Sequence, residues 1–380
     1  MRPTWAEVSL SALRHNFRLI KQHVGTDVTV CAVIKADAYG HGAVECARAL
    51  QEAGATWFGV TSTEEGVKIR EAGITGRILL MTGFWRGEQE DVIHHNLTPT
   101  VWEWWQIGAL EALLGKRNAP PRSFPVHVNV DTGMARLGVP DYFMGLFLKR
   151  VRAAEPIALE GVFSHLASAE VLDAEDAKHQ ASRFAEFEQF IADHGFSPQF
   201  RHIANSAAVG GRPSLWRNMV RPGMLLYGYG LPLMRTENDP EIPHPLPVKR
   251  ALSWKTKIIS MKDVGAGQTV GYKAAYVTNR PTKLAVLPVG YADGLSRHLS
   301  SRGRVIVRGT YAPMVGIISM DITVVDVTDV NGAAMGDDVT IIGADGDCMI
   351  DAWEHARLEA TIPYEVLCRV GGRVRRTYKE

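Results

Sequence analysis

Lys35 occupies a position at which a lysine can do chemistry. It follows an apolar run at 28–34 and precedes a loop that contains Tyr39, Gly40 and Gly42. A lysine at such a strand end can form a Schiff base with an aldehyde cofactor, and partial desolvation lowers its pKa toward the range of a useful base. Taken alone, a lysine at this place is more often a side chain that extends into solvent from a barrel rim. Lys35 is therefore a candidate that needs support from the rest of the sequence.

The first two-thirds of the chain alternates between two kinds of segment, and this alternation predicts how Lys35 is positioned. Short runs rich in β-branched residues lie at 28–34, 57–60, 77–81, 97–101, 126–130, 159–163, 200–204 and 224–227. Longer segments with helical spacing separate them, for example 42–53, 62–72 and 176–194. Eight such units predict an α/β fold, a (β/α)8 TIM-type barrel, with Lys35 on the face where barrels carry active sites. A doubly wound sheet is disfavoured because no Gly-x-Gly-x-x-Gly follows the first strand.

A proline-rich segment at 231–250 divides the chain, because neither a helix nor a central strand tolerates that many prolines. Beyond it, strand-like runs lie at 251–261, 282–287, 305–307, 322–327 and 338–342, with one clear helix at 351–361. Near the amino terminus, 4–9 alternates like a strand before a helix at 10–24. We therefore expect a barrel domain at 1–235, in which residues 1–10 form a strand that joins the second domain. The second domain, at 236–380, should be mainly β.

Composition disfavours several classes of function. The 42 Lys and Arg residues against 41 Asp and Glu leave a net charge of +1, so no overall field draws the chain to nucleic acid or to a membrane. No apolar stretch reaches the roughly 18 residues of a spanning helix, and a secretory signal is absent, which favours the cytoplasm. The four cysteines form no Cys-x-x-Cys pair and are expected to be reduced. No metal site is expected, and the basic tail at 369–379 is interpreted as a solvated chain end.

The string Cys-Ala-Val-Ile-Lys-Ala-Asp-Ala-Tyr-Gly-His-Gly at 31–42 resembles the cofactor-lysine motif of alanine racemases and their pyridoxal-phosphate relatives. Further blocks that resemble this family follow in family order at 129–138, 164–168, 204–207, 220–224, 271–272, 289–294, 319–321 and 362–365. Each block is weak alone, but together they cover nearly the whole chain. The resemblance implies a pyridoxal 5'-phosphate enzyme that interconverts L-alanine and D-alanine and supplies D-alanine for peptidoglycan.

The resemblance also implies two catalytic bases. Lys35 carries the cofactor and moves the α-proton on one face of the substrate, and Tyr272 serves the opposite face, because one residue cannot easily reach both. In the family, a histidine matching His165 connects the tyrosine to an arginine matching Arg221. That arginine points at the pyridine nitrogen of the cofactor and cannot protonate it. The weakened electron sink favours racemisation over transamination.

The family match assigns the remaining contacts. The cofactor phosphate and its surroundings fall to Tyr39, Asn205, Ser206, Gly223, Met224 and Tyr364. Asn205 is a weak signal alone, since Asn-Ser-Ala commonly caps helices. The substrate carboxylate is expected at Arg136 and at the Met320 backbone amide. Tyr291 and Tyr364 resemble residues that narrow the entrance, so that alanine fits and larger amino acids clash.

Three positions depart from the family pattern. Asn129 stands where many members carry a lysine whose carbamate holds the substrate-binding arginine, and an amide cannot be carbamylated. We hypothesise that a bound anion such as chloride bridges Asn129 and Arg136. Ser319 replaces a common cysteine, so that a thiol-directed inactivator would lack its target there. Lys273 replaces the commoner glycine after Tyr272.

Several alternatives stay open from sequence alone. The β domain is expected to reach the barrel of a second copy, which implies a homodimer with a shared active site. A racemase of serine or of several amino acids is compatible with the same blocks. A decarboxylase of similar architecture is disfavoured by the Tyr272 and Arg221 blocks. A non-catalytic carrier of pyridoxal phosphate would need neither a second domain nor a second base.

Overall fold

The computed structural model describes residues 2–380, which form two compact units. The barrel unit comprises Ala12–Ala38 and Ala43–Arg250. The β unit comprises the described residues up to Ser11, together with Tyr39–Gly42 and Ala251–Glu380. The compact units therefore divide between Arg250 and Ala251, at the carboxyl end of the proline-rich segment.

The barrel unit is built on eight parallel strands. Their order in the sheet is Phe200–His202, Ile157–Phe163, Phe124–Asn129, Thr98–Val101, Arg77–Leu80, Trp57–Val60, Thr29–Val33 and Met219–Val220. The helices are Leu10–Val24, Ala43–Glu52, Thr63–Glu71, Gln89–His94, Trp104–Lys116, Asp141–Ala153, Glu175–Asp193 and Ser206–Gly211. The strands are buried along most of their length, as the apolar runs predict. The predicted barrel is confirmed as a nearly closed sheet.

The last barrel strand was wrongly predicted. The run at 224–227 forms a 3-10 helix, Met224–Tyr227, and the eighth strand is the two-residue segment Met219–Val220. All four side chains of Met224–Tyr227 are fully buried, so the run lacks the polar face that would reveal a helical period. Gly228 ends the turn with φ +90°, a conformation that favours glycine.

Lys35 begins a left-handed turn, Lys35–Tyr39, that the sequence did not predict. Ala36, Asp37, Ala38 and Tyr39 have φ between +51° and +56°. Left-handed helical backbone costs roughly 1–2 kcal/mol per non-glycine residue, so the surroundings must hold this turn in place. Glu65 supplies part of that restraint, since its carboxylate accepts from Ala36 N at 2.6 Å and from Thr61 N at 2.8 Å. The turn gives Lys35 a fixed place after its strand.

Replacing Ala36 with glycine should stabilise the protein, which is the reverse of the usual effect. Ala36 is exposed, so the change removes left-handed strain and no packing, and we expect the free energy of unfolding to rise by about 0.5–1 kcal/mol. Urea denaturation measures it. The control is Ala112→Gly in the helix Trp104–Lys116, which is also exposed and should lower the same quantity by about 1 kcal/mol. If Ala36→Gly lowered the free energy of unfolding as the control does, the left-handed backbone at Ala36 would not be strained.

The β unit contains three sheets. The largest has the order Thr310–Pro313, Arg304–Val307, Asp338–Asp345, Leu252–Lys257, Thr4–Ser9 and Arg375–Lys379, and Cys348–Ile350 pairs with Asp338–Asp345. The second has the order Ser260–Val264, Thr282–Leu287 and Thr323–Asp326, and the third pairs Thr269–Val270 with Tyr276–Val277. Helices Ala352–Glu359 and Pro363–Cys368 and the 3-10 turns Tyr272–Ala274, Tyr291–Asp293 and Arg297–Leu299 complete the unit. The mainly β second domain is confirmed.

Three details of this unit correct the sequence expectations. The run 251–261 is two strands in two different sheets, divided at Ile258 and Ile259, whose backbone groups bond to other segments. A second helix, Pro363–Cys368, follows the one that was expected. The basic tail is not simply a solvated end, since Arg375–Lys379 pairs in parallel with Thr4–Ser9. Arg376 donates to the carbonyls of Val370, Gly371 and Val374, which explains a basic residue there without a nucleic-acid role.

No helix within residues 2–380 is both long and apolar enough to cross a membrane. The same residues contain no group of three or more His, Cys, Asp or Glu side chains placed to hold a metal ion. None of the four cysteines, all within the described residues, forms a disulfide, and Cys31 and Cys46 are buried. Burial raises the pKa of Cys31 to about 12, so this thiol is not a nucleophile at neutral pH.

Candidate active site

The carboxyl ends of the barrel strands bring several of the predicted residues together. Lys35 follows Thr29–Val33, His165 follows Ile157–Phe163, and Arg221 follows Met219–Val220. Burial, together with the neighbouring charges of Arg221, Arg136 and Lys35, lowers the pKa of His165 to about 3. The imidazole of His165 is therefore neutral at physiological pH, within a cluster of three cationic side chains.

Arg221 is 4% exposed, and both terminal nitrogens of its guanidinium are fully engaged. One Nη donates to His202 Nδ1 at 2.7 Å and to the His202 carbonyl at 3.0 Å. The other donates to the Ser164 carbonyl at 2.7 Å and to His165 Nδ1 at 3.3 Å. Burial lowers the pKa of Arg221 to about 10, so it stays protonated at neutral pH. Its Nε–H makes no hydrogen bond to any described residue, which leaves one oriented donor in a buried site.

These contacts also fix the protonation of His165. An arginine can only donate, so His165 Nδ1 must accept and its single proton lies on Nε2. The backbone of this residue is fixed as well, because Gln180 donates to the His165 carbonyl at 2.8 Å and accepts from Ala167 N at 2.8 Å. Towards any further group, the neutral His165 can therefore act only as a hydrogen-bond donor, through Nε2–H.

Some of the residues expected at the cofactor phosphate meet where two short elements begin. Ser206 Oγ accepts from Gly223 N at 2.9 Å and from Leu225 N at 3.4 Å, which ties the helix Ser206–Gly211 to the turn Met224–Tyr227. The hydroxyl proton of Ser206 has no acceptor among the described residues, so it can be donated to an anion. Asn205 accepts from Ala208 N at 3.1 Å as the N-cap of that helix. The capping interpretation of the Asn-Ser-Ala string therefore holds locally.

The loop that carries Arg136 is anchored by its acidic residue. Asp131 Oδ1 accepts from Gly133 N at 2.9 Å and from Ala135 N at 3.1 Å. Arg136 itself forms no ion pair or hydrogen bond with any described residue. Asn129 is 8% exposed, and its side-chain amide makes no hydrogen bond within residues 2–380. A guanidinium and an amide without partners are thus available near the barrel mouth.

The β unit holds the predicted tyrosines in a pocket of its own. Tyr272, Tyr291 and Met320 line an open pocket of about 500 Å³ together with Arg297, Ile317, Ile318 and Ser319. Tyr272 is 68% exposed and is presented by a strained turn, since Lys273 has φ +60° and Ala274 has φ +50°. Tyr291 N donates to the Ser319 carbonyl at 3.1 Å, which joins the tyrosine turn to the Met320 loop. Tyr39 and Tyr364 lie together in this unit, with ring centroids 6.0 Å apart.

Ser319, one of the departures from the family pattern, has a structural role. Its hydroxyl donates to the Ile322 carbonyl at 2.9 Å and accepts from Ile322 N at 3.0 Å. These two bonds close the turn that presents the Met320 backbone. A serine therefore holds this turn by hydrogen bonds.

Sequence reasoning missed the polar side chains inside the barrel. His127 Nδ1 lies 2.9 Å from His202 Nε2, and His127 Nε2 lies 3.5 Å from the carboxylate of Glu160, which Arg77 binds with both terminal nitrogens. Both histidines are fully buried. On an apolar strand, a lone histidine gives no signal that separates a core residue from a functional one.

Gly161 provides the space for His127, and this makes it a sensitive position. A Cβ at Gly161 would lie 2.4–2.6 Å from ring atoms of His127, which is packed between Trp57 and Phe200. We expect Gly161→Ala to lower the free energy of unfolding by about 1–3 kcal/mol, measured by denaturation. Gly145→Ala is the control, because its nearest neighbour, Phe190, lies 3.7 Å away. Equal stability of the two variants would show that the barrel core accommodates the added methyl group at Gly161.

The comparisons with known proteins agree with this arrangement. The family model described as alanine racemase, N-terminal domain, matches residues 8–231, and the model described as alanine racemase, C-terminal domain, matches residues 251–378. The chain is 39% identical to alanine racemase from Geobacter sulfurreducens over 382 aligned residues, covering 99% of this chain and 97% of the relative.

Solved structures give the same answer. Alanine racemase from Bacillus anthracis with bound L-Ala-P superposes with a TM-score of 0.90 at 32% identity, covering 100% of this chain and 96% of that one. Alanine racemase from Bartonella henselae with covalently bound pyridoxal phosphate superposes with a TM-score of 0.86 at 31% identity, covering 100% of both chains. Matches of this extent in both halves establish the family. The chain therefore belongs to the alanine racemase family.

Proposed function

We propose that this enzyme interconverts L-alanine and D-alanine by moving the α-proton between two bases, with pyridoxal 5'-phosphate as its cofactor. The observation that carries the proposal is the Arg221 site. A buried, protonated guanidinium offers a single Nε–H and contacts a neutral His165, which also lies near Lys35. Such a donor suits the neutral pyridine nitrogen of this cofactor, which has one lone pair in the plane of its ring.

The residues present fit the cofactor at both ends. Lys35 can bind its aldehyde carbon, and the hydroxyl of Ser206 and the Met224 amide beside Gly223 can hold its phosphate, with Tyr39, Asn205 and Tyr364 around them. When bound, the cofactor withdraws electrons from the α-carbon of the substrate and so acidifies its proton. Because Arg221 cannot give up its proton, it keeps the ring nitrogen unprotonated. This restricts electron withdrawal and favours return of the proton to the α-carbon over transamination.

The two bases then divide the work by face. The bond between the α-carbon and its hydrogen breaks as one base accepts the proton, and a new bond forms as the other base delivers a proton to the opposite face. Lys35 serves one face and Tyr272 the other. Only a proton moves, so the reaction is redox-neutral, and each turnover exchanges the protonation states of Lys35 and Tyr272. Arg136 and the Met320 amide hold the carboxylate, and Tyr291 restricts the side chain to a small group.

We also propose the setting of this reaction. Tyr272 serves the barrel of a second copy in a homodimer, so that each active site draws on two chains. The enzyme works in the cytoplasm and supplies D-alanine for peptidoglycan. Size-exclusion chromatography with light scattering tests the dimer directly.

The Asn129 site gives a prediction of its own. We expect a halide to bridge Asn129 and Arg136, because an amide and a guanidinium offer N–H donors there and the anion replaces the carbamate charge. Crystals grown with bromide should show an anomalous difference peak between the two side chains, and crystals of Arg136→Met should lack it. Density for water alone, without an anomalous peak, would contradict the anion.

The test of the function is formation of D-alanine from L-alanine, followed in both directions by chiral chromatography. Serine and arginine serve as competing substrates. We expect fast interconversion with a preference for alanine. Comparable turnover of serine or arginine would indicate a broader racemase, and cofactor absorbance without any interconversion would indicate a carrier or a different reaction.

A further inference from the structure

A polar network runs through the barrel interior behind the proposed cofactor site. It consists of Arg221, His202, His127 and Glu160, and we call it the Arg221–Glu160 network. Arg221 Nη1 lies 2.7 Å from His202 Nδ1, His202 Nε2 lies 2.9 Å from His127 Nδ1, and His127 Nε2 lies 3.5 Å from Glu160 Oε2. The interior of a barrel is usually filled by branched apolar side chains, so this network is a departure that needs a reason.

The chemistry of its two ends gives the network one direction. Arg221 can only donate, so His202 Nδ1 must accept and the His202 proton lies on Nε2. That proton can only go to His127 Nδ1, which places the His127 proton on Nε2, facing Glu160. At 3.5 Å this last contact is electrostatic and is not a hydrogen bond. Glu160 is an acceptor when ionised. Although burial raises the pKa of Glu160, the nearby His127 and the hydrogen bonds from Arg77 lower it below its usual range overall.

The surrounding structure is built to hold these side chains. The pairing of Phe124–Asn129 with Ile157–Phe163 shifts register between Val126 and His127, which places His127 opposite Gly161. Gly161 has no Cβ to exclude the His127 ring. On the next level, the Phe163 ring stacks on His202 at a centroid distance of 4.8 Å and lies 4.9 Å from the Arg221 guanidinium. The rings are therefore confined on both sides.

The far end of the network carries its only negative charge. Glu160 pairs with Arg77 through bonds of 3.0 and 2.7 Å, and Arg77 also lies 4.6 Å from the ring of Trp57. Arg221 has no carboxylate partner among the described residues. Its charge is therefore compensated by carbonyls and by imidazoles polarised toward Glu160. Successive hydrogen bonds in a low-dielectric interior reinforce one another.

We propose that Glu160, His127 and His202 are positioning residues that orient the Arg221 guanidinium and strengthen its donation to the pyridine nitrogen of the cofactor. The proposal rests on the proposed function, because it gives Arg221 its role at the cofactor. It goes beyond the proposed function by assigning a purpose to two buried histidines and a half-buried glutamate, none of which touches substrate or cofactor. The network holds Nη1 in place, so that Nε–H keeps one direction through the reaction.

Nitrogen-15 NMR of histidine in the wild-type protein tests the direction. We expect His127 and His202 to be neutral with the proton on Nε2, both without cofactor and in the holoenzyme. A proton on Nδ1 of either residue, or a cationic imidazole at neutral pH, would overturn the network as described. This measurement does not depend on activity.

A matched pair of variants tests the positioning role. Glu160→Gln removes the charge and keeps the size, while Glu188→Gln removes a carboxylate of similar exposure, 15% against 14%, whose partner Arg217 lies outside the network. In holoenzyme loaded with pyridine-15N pyridoxal phosphate, Glu160→Gln should move the His202 and pyridine nitrogen shifts. It should also lower kcat by roughly 3- to 30-fold at an unchanged KM. Glu188→Gln should do neither.

The outcomes separate this proposal from the function on which it rests. Equal effects of the two variants would reduce Glu160 to a structural residue, and an unchanged pyridine shift in Glu160→Gln would overturn the positioning role. The proposed function would be contradicted if Glu160→Gln moved the pyridine nitrogen shift but the wild-type holoenzyme did not racemise alanine. In that case the NMR shifts still decide whether the network acts on Arg221.

Discussion

Lys35→Ala should abolish the interconversion of L-alanine and D-alanine in both directions. The variant removes the amine that binds the cofactor aldehyde and also the base on one face of the substrate. General acid–base catalysis alone contributes about 10²- to 10⁴-fold, so the combined loss should be at least about 10³-fold in kcat. Chiral chromatography measures the activity. Mass spectrometry after borohydride reduction should find the cofactor attached to the wild-type protein and not to the variant.

The control for this variant should disturb the same loop and keep the amine. Lys68→Ala removes a partly exposed lysine that contacts Asp37 of the left-handed turn at 3.2 Å. We expect Lys68→Ala to retain activity within a few-fold, because a surface ion pair contributes about 0–1 kcal/mol. Racemisation by Lys35→Ala at a rate near that of the control would show that another residue binds the cofactor.

Regular elements with a clear hydrophobic period were predictable from the sequence. The strands Trp57–Val60 and Thr282–Leu287 and the helix Leu10–Val24 begin and end where the pattern places them. Each has either a buried run bounded by turn residues or a continuous apolar stripe. The segment Met224–Tyr227 is also a buried run, bounded by Gly223 and Gly228, but burial on all sides leaves no period that separates a 3-10 helix from a strand. Its 3-10 conformation is seen only in the folded barrel unit, where all four side chains are fully buried.

The backbone around Lys35 could not be predicted, although the importance of Lys35 could. Alanine, aspartate and tyrosine give no local signal for positive φ, and glycine follows only at Gly40. The left-handed turn is imposed by tertiary contacts such as those of Glu65. Local propensity fails here because the surrounding fold overrides it at a site where strain positions a side chain.

The candidate site divides in the same way. The resemblance assigned roles to Lys35, Arg221 and His165, and the structure brings these three together in one unit. The resemblance could not reveal the hydrogen bonds that leave Arg221 Nε as the free donor, since these depend on carbonyls of residues distant in sequence. His127 and His202 were missed because a buried histidine on an apolar strand is usually only a packed core residue.

Tyr272→Phe should separate proton exchange from racemisation. The enantiomers of alanine have equal free energies, so loss of one base must lower kcat/KM equally in both directions, by about 10²- to 10⁴-fold. Lys35 remains and can still remove and return the proton on its own face. In D2O, Tyr272→Phe should therefore exchange the α-hydrogen of one enantiomer without inversion, while the other enantiomer exchanges slowly.

Proton NMR of alanine in D2O, combined with chiral chromatography, measures exchange and inversion together. The wild type should exchange the α-hydrogen of both enantiomers. Tyr142→Phe, which removes the hydroxyl of a tyrosine that is 86% exposed in the barrel unit, should behave like the wild type. If Tyr272→Phe lost exchange equally for both enantiomers, the phenol would act on a step shared by both faces. Retention of exchange for one enantiomer alone requires that the second face has its own base, and Tyr272 is then that base.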